Sequence, residues 1–513
     1  MTSKNKRSQI NKTSSVYIAR LIILGILILL FHAVLTLFSP YVAYDEFPTL
    51  IPILIYVFIA GTAGGIILLL PHIIKKITAQ ADIRQNNASK LFPLFWILLI
   101  GLAARGLMFA STPVLEDDWI RYLWEGGMGN KGVSAYQYTP SDGFDINTLG
   151  DELPPSDNKD IMTLRALSAE HDDYAYNVAY PYLATIYPGV AQQAFRLANL
   201  IKPFDLNAWR GVLLVTDTLS ILLLIALLKR WKRSPLWIAL YWWNPLVMME
   251  GFNSGHMDIL LILPLLLSLY FAVQKRAILT GASLGLAVGV KLWPLLLAPL
   301  YLYPLIATNW QETFRLEAVK SRFRSSAIPV FGFAIALVFV SLLFTWGLIT
   351  QIFTSHSGLG AYTEEWAKNN FLFSLIILTY QLILEEPGRY ARISIAIALS
   401  ALSIGLAFRA SSQKSLPVMV VIVAASLFLL APAGYPWYSF WFLPLTAFAP
   451  YTGLLALSVT LPIYYLRFPL FVMGYDWIFN LILAPLEFGI PIAIMVASAI
   501  NHRRRAMANI TDR

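Results

Sequence analysis

The chain has 513 residues, of which 58% are hydrophobic and 13% charged, with a formal net charge of +9 and a mean hydropathy of +0.63. Soluble domains carry about 25% charged residues, so a string of three or four soluble globules is excluded and a polytopic membrane protein is implied. There is no cysteine, so disulfides, thiolate chemistry and Cys-ligated metals are excluded as well.

A basic segment, 1–15, precedes an apolar run from Val16 to about Phe38. The run is too long for a signal peptide and lacks a small-residue cleavage site, which predicts a retained first span with its N-terminus in the cytoplasm. Further spans are predicted near 50–71, 91–111, 208–228, 235–251, 258–273, 277–291, 293–308 and 327–347. Others follow near 391–408, 416–432, 437–450, 453–468 and 481–500, which makes about 14 in an all-α chain. Segments 1–15, 72–90, 229–234, 274–276, 309–326, 409–415 and 501–513 hold 24 of the 38 Lys and Arg residues. With these in the cytoplasm the positive-inside rule is satisfied throughout. That parity requires 371–386, which is apolar but short, to re-enter from the outer side. Both termini are then cytoplasmic, and the membrane of residence is expected to be a bacterial plasma membrane.

The longest polar stretch, about 112–207, contains 14 Asp or Glu and 6 Lys or Arg. It follows the third span and therefore faces the periplasm or exterior. Its Tyr, Trp and Leu content predicts short helices folded over the mouth of the bundle. The net positive charge thus reports topology, and nucleic acid is not expected as a partner. No phosphate-binding loop of the nucleotide-dependent kind is present.

Polar residues in so apolar a chain draw attention by their cost. Glu116, Asp117 and Asp118 are adjacent carboxylates whose repulsion raises at least one pKa toward the range of a general base. Arg121 is spaced to pair with one of them on a helix. The plainer reading of this segment is an acidic helix start. Tyr182–Gly189 contains Tyr187-Pro188, a turn into a helix or an interfacial aromatic anchor. Trp243-Asn244-Pro245, Glu250 and Asn253–Asp258 place His256 and Asp258 at a turn between spans, too few ligands for a metal site. Lys291 interrupts an uncharged run and either snorkels to the interface or binds an anionic headgroup. Arg210 and Asp217, seven apart, are expected to form an ion pair. Tyr362–Asn370, with Trp366 and Asn370, and Gly434–Tyr438, with Trp437, add aromatics and amides. The charge count puts all these groups on the outer face.

Glu116-Asp117-Asp118-Trp119-Ile120-Arg121-Tyr122-Leu123-Trp124-Glu125-Gly126 followed by Gly132–Tyr136 resembles the first-loop signature of the GT-C class of polytopic glycosyltransferases. The branch resembled is the mannosyltransferase-like one that uses polyprenyl-phosphate sugars. Thr185-Ile186-Tyr187-Pro188, Trp243-Asn244-Pro245, Gly255–Asp258, Gly289–Pro294 and Pro436-Trp437-Tyr438 match in order over about 90–450. Glu125, Ser134-Ala135, Gly189 and Tyr435 depart from the pattern.

The resemblance implies a GT-C-like catalytic module over 91–450, two extra spans within 1–90, and C-terminal spans with a basic tail over 451–513. It implies inverting transfer of mannose or another hexose from a polyprenyl-phosphate donor in the bilayer. The acceptor is a hydroxyl of a glycan, lipid or protein; no cofactor is expected, and no residue is assigned as a metal ligand. Asp117 or Asp118 is implied as the base. Glu116, Arg121, Tyr187, His256, Asp258, Lys291, Trp366, Asn370 and Trp437 are implied in donor or acceptor binding. Two other classes fit the span count: a secondary transporter or lipid or polymer flippase, and a non-catalytic GT-C-like partner in glycan assembly.

Overall fold

The computed structural model describes residues 3–84, 88–144, 156–306, 316–364, 366–409 and 415–511. The described residues form an all-helical bundle whose only strand-like pairings are the isolated bridges Ala43–Val114 and Lys368–Ala433. Eight helices are long and apolar enough to cross a bilayer: Ser15–Val42, Leu50–Gln80, Leu91–Met108, Leu206–Arg230, Ala327–Gln351, Pro387–Phe408, Thr452–Val472 and Asp476–His502. In lipid each satisfies its backbone internally, which is why runs of this length become helix.

The other six predicted spans are shorter or broken. Helices Ala277–Val288, Trp293–Leu302 and Leu416–Leu430 are apolar but only 10–17 residues long. Segments Val247–Asn253 and Met257–Val273 are two limbs bent by 103°. Gly255 sits at the bend with φ +71°, a left-handed conformation that glycine adopts without a Cβ clash. The predicted spans at 235–251 and 437–450 are sequences of short turns buried in the bundle. Pro235, Pro245, Pro436 and Pro444 remove the amide donors that a continuous helix needs there.

Close packing has a sequence cause. Gly281, Gly285 and Gly289, four apart, present one face of helix 277–288 to helix 316–351. A Cβ on them would strike Phe333, Val340 and Phe344. The predicted re-entrant segment contains one nine-residue helix, Leu372–Tyr380, too short to cross a core of about 30 Å. Asn370 bonds the Pro432 carbonyl at 2.8 Å, and Arg392 bonds the Trp366 carbonyl at 3.1 Å. The two flanks of 371–386 therefore lie at the same end of the bundle. The acidic stretch supplies helices Asp118–Asn130, Lys159–Glu170 and Gly189–Ile201, with 145–155 outside the described residues. Gly126 lets the first and third of these touch, since a Cβ there would meet the Phe195 carbonyl.

Candidate active site

A cavity of about 820 Å³ opens where these loops meet the bundle. Its lining includes Glu116, Asp117, Asp118, Arg121, Tyr187, Asp258, Lys291, Trp366 and Trp437. Nine of the eleven sequence-predicted site residues, separated by more than 300 positions, therefore share one space. The cavity wall extends beyond 91–450, taking Tyr44 and Pro48 from one side and Tyr464–Val472 from the other. Helices 50–84, 262–273 and 277–288 reach it with the ends opposite Lys75, Lys76 and Arg276.

The acidic triad is set by local backbone. Leu115 has φ +52°, a left-handed conformation strained for a branched side chain, and turns the chain out of helix 88–108. Asp117 then stands at the N-cap of helix 118–130 without a side-chain cap bond. The three carboxylates diverge in environment. Glu116 is buried and accepts the Tyr464 hydroxyl at 2.9 Å. Burial and the charges of Asp118 and Asp117 push its pKa well above the carboxylate range, which favours the protonated form. Asp117 has no charged partner among the described residues, and burial with the Asp118 charge pushes it up to about 6. Burial alone would raise Asp118. His256, the Tyr122 hydroxyl at 3.3 Å and the Lys291 charge outweigh it and hold Asp118 below its usual range.

Lys291 Nζ donates to Asp258 Oδ1 at 2.6 Å and lies 3.8 Å from the Tyr438 ring centroid. Trp441 Nε1 donates to the same Asp258 oxygen at 2.8 Å. The ammonium is thus fixed by one carboxylate and one aromatic face while its tip lines the cavity. His256 does not reach the cavity wall. It is fully buried, stacked on Trp437 at 3.7 Å, with Nδ1 3.6 Å from Asp118 and Nε2 3.7 Å from Glu250. These separations exceed hydrogen-bond length, so His256 acts on Asp118 as a neighbouring dipole or charge.

Several expectations are corrected. Arg121 pairs with Glu125 at 2.8 Å, one turn on, rather than with the triad. Its other donors bind the carbonyls of Ala179, Tyr180 and Leu183, leaving one N–H of five. Glu125 also accepts Thr185 at 2.7 Å and Gln192, so these residues clamp the 179–188 wall. Arg210 does not pair with Asp217, because seven residues span about 10 Å along a helix. Asp217 pairs with Arg105 at 2.8 Å, and Arg210 bonds the Ser111 and Asn253 carbonyls. Asn370 lies off the cavity and ties its loop to Pro432. Trp242 and Trp243 pack in the bundle, their indole N–H groups on the Leu98 and Ile97 carbonyls.

Two cavity cations were missed from sequence, Lys368 and Arg467. Each stands at the end away from the basic segments, and that exception to the charge pattern is the signal that marks them. Apolar walls accompany the charges: Leu292, Trp293 and Leu427 near Lys291, and Phe468, Phe471 and Val472 near Arg467. Among the described residues no three His, Asp or Glu side chains group as metal ligands would.

Residues 196–432 match the model of glycosyltransferase family 87. Family 87 is a family of polytopic membrane glycosyltransferases of GT-C type, the class that the motifs resemble. The family 87 match covers somewhat less than half of the chain, and supports a multi-pass membrane glycosyltransferase in general terms. It includes His256, Asp258, Lys291, Trp366 and Asn370 and ends before Trp437. The acidic triad, Arg121 and Tyr187 precede it. No curated protein and no solved structure matches the chain.

Proposed function

We propose that the chain transfers a hexose, mannose being the sugar that the motif resemblance favours, from a polyprenyl-phosphate donor to an acceptor hydroxyl, with inversion. The observation that carries this reading is one cavity that combines three things. It has a carboxylate at Asp117 without a charged partner among the described residues, a fixed ammonium at Lys291, and apolar walls suited to a lipid chain. In the reaction the acceptor oxygen attacks the anomeric carbon while the bond from that carbon to the phosphate oxygen breaks. The acceptor proton passes to Asp117, whose raised pKa suits a base that works near neutrality. The polyprenyl phosphate leaves with an added negative charge, which the remaining N–H groups of Lys291 stabilise. Asp118, held ionised, orients the acceptor and keeps Asp117 basic by repulsion. His256 holds Asp118 from behind, and Arg121 positions the wall that carries Tyr187.

The cavity's position away from the basic helix ends supports chemistry on the outer face of a plasma membrane, as the positive-inside rule favours. The test is transfer of labelled hexose from polyprenyl-phosphate mannose or glucose to n-octyl hexosides by the chain in nanodiscs. Transfer by the wild type, lost in the double variant Asp117→Ala/Asp118→Ala, is expected. Full activity of that variant overturns the assignment. Flux of the lipid without covalent transfer would instead support the flippase reading.

A further inference from the structure

A second pocket of about 480 Å³ adjoins the main cavity and shares Tyr180, Leu183 and Trp366 with it. Its remaining wall is chemically different. Thr354, Ser355, His356 and Ser357 give it hydroxyl and imidazole groups, and Tyr182 gives it an exposed aromatic face. It lacks the long apolar wall that a lipid chain requires.

The pocket is built on pinned backbone. Ala184 N donates to the His356 carbonyl at 2.9 Å, and Gln351 Nε2 donates to the Thr185 carbonyl at 2.6 Å. The 352–357 loop is therefore fastened to the same 183–186 segment that walls the main cavity. Tyr180 stands at the junction with φ +51°, its carbonyl held by Arg121 and its hydroxyl bonded by Lys368 at 3.2 Å. Its ring meets Trp366 edge-on at 5.0 Å and Tyr182 at 6.4 Å. A row of aromatic rings thus runs from the polar pocket into the cavity that holds Asp117. Aromatic faces beside hydroxyl groups are the chemistry that receives a sugar ring, with C–H groups on the face and hydroxyls at the rim.

We infer that this pocket receives the saccharide of a glycan-bearing acceptor and feeds its terminal hydroxyl past Tyr180 and Trp366 toward Asp117. The inference rests on the glycosyltransferase reading for the reaction, but it makes a binding claim of its own. The donor lipid takes the apolar walls of the main cavity, and the acceptor sugar approaches from the polar side. The two substrates then meet from different directions.

The test has two readouts on the full chain in nanodiscs, comparing wild type with Tyr182→Ala, His356→Ala and the double variant. Both side chains are exposed, so the variants are expected to fold. In the first readout, acceptor KM is measured with n-octyl mannoside and n-octyl glucoside, and with n-octanol as the sugar-free control. Each single variant is expected to raise KM for an octyl hexoside by about tenfold, or about 1.4 kcal/mol. kcat and the n-octanol reaction should change less than twofold. In the second, saturation-transfer NMR detects binding of manno- and gluco-oligosaccharides without any donor, and the double variant is expected to lose the signal. Wild-type KM in all variants, n-octanol accepted as well as the hexosides, or an oligosaccharide signal unchanged by the substitutions overturns the acceptor site and leaves the transferase standing. A wild type that binds oligosaccharide yet transfers no hexose from any donor contradicts the transferase reading and leaves the saccharide site standing.

Discussion

Two charge clusters, one buried and one half-buried at the cavity wall, lie along the third helix and its exit loop. Arg105, in the last turn of helix 88–108, is fully buried and salt-bridged to Asp217 at 2.8 Å. Its guanidinium also bonds the Gly101 and Trp242 carbonyls and lies 3.5 Å from the Trp242 ring centroid, while Asp217 accepts the Tyr241 hydroxyl. The two charges neutralise each other, and further protein groups bond both. Twelve residues later the same chain reaches Asp117, which has no cation partner among the described residues, and Asp118, whose neighbour His256 is too distant for a hydrogen bond. His256 has neither ring nitrogen bonded. Charge in an apolar protein is retained for one of two reasons. Where opposite charges pair with each other they fix the packing of helices; where a charge beside a cavity lacks such a pair, the missing partner is a substrate.

That contrast separates effects on activity from effects on stability. The largest activity effect is expected at Asp117→Ala: a loss of about 10²- to 10⁴-fold in kcat, with thermal stability in detergent unchanged. Asp217→Ala should do the opposite. It leaves Arg105 charged and unpaired in the bundle, destabilising the fold by about 3–5 kcal/mol. The yield of folded protein and the unfolding midpoint should fall while the protein that folds keeps its kcat. If Asp217→Ala abolishes activity in fully folded protein, the division between the clusters breaks down.

Lys291→Met is expected to lower kcat by about 10²-fold, in the range found when an oxyanion donor is removed. An n-octyl phosphate inhibitor should weaken in parallel, and unchanged inhibition would remove Lys291 from the phosphate site. The smallest effect is expected at Asn370→Ala, which loses the bond to the Pro432 carbonyl. About 1 kcal/mol of stability should go, with donor KM within twofold of wild type.

How much of this was readable beforehand depends on distance along the chain. Asp117, Asp258, Lys291 and Trp437 were visible as short polar motifs, and the charge pattern placed them on one side. The long helices followed from apolar length alone. Pairings did not: Arg105 and Asp217 are 112 residues apart, and sequence spacing offered the nearer Arg210 instead. Arg121 was matched to the wrong carboxylates because helical spacing allows partners in both directions, and Glu125 had its own anchor in Thr185 and Gln192. Breaks at Pro245, Gly255 and Pro444 turned predicted spans into buried turns, since an apolar run reports lipid-facing and protein-facing helix alike. Tyr44 and Arg467 entered the cavity from outside the motif-bearing region, where nothing local distinguishes them from interfacial residues.

The account turns on Asp117 as the base, with Asp118 as the charge that tunes it. Its most direct test is the pH dependence of hexose transfer by wild type, Asp117→Asn and Asp118→Asn. A base acts in its ionised form, so the wild-type rate should rise about tenfold per pH unit below its pKa and level off above about 6. Asp118→Asn removes the repulsion that adds to burial in raising Asp117, so the inflexion should move to lower pH with transfer retained. In Asp117→Asn transfer should fall about 10²-fold or more across the range, and the inflexion should vanish. An Asp117→Asn variant that keeps the wild-type rate and an inflexion near 6 would contradict the assignment.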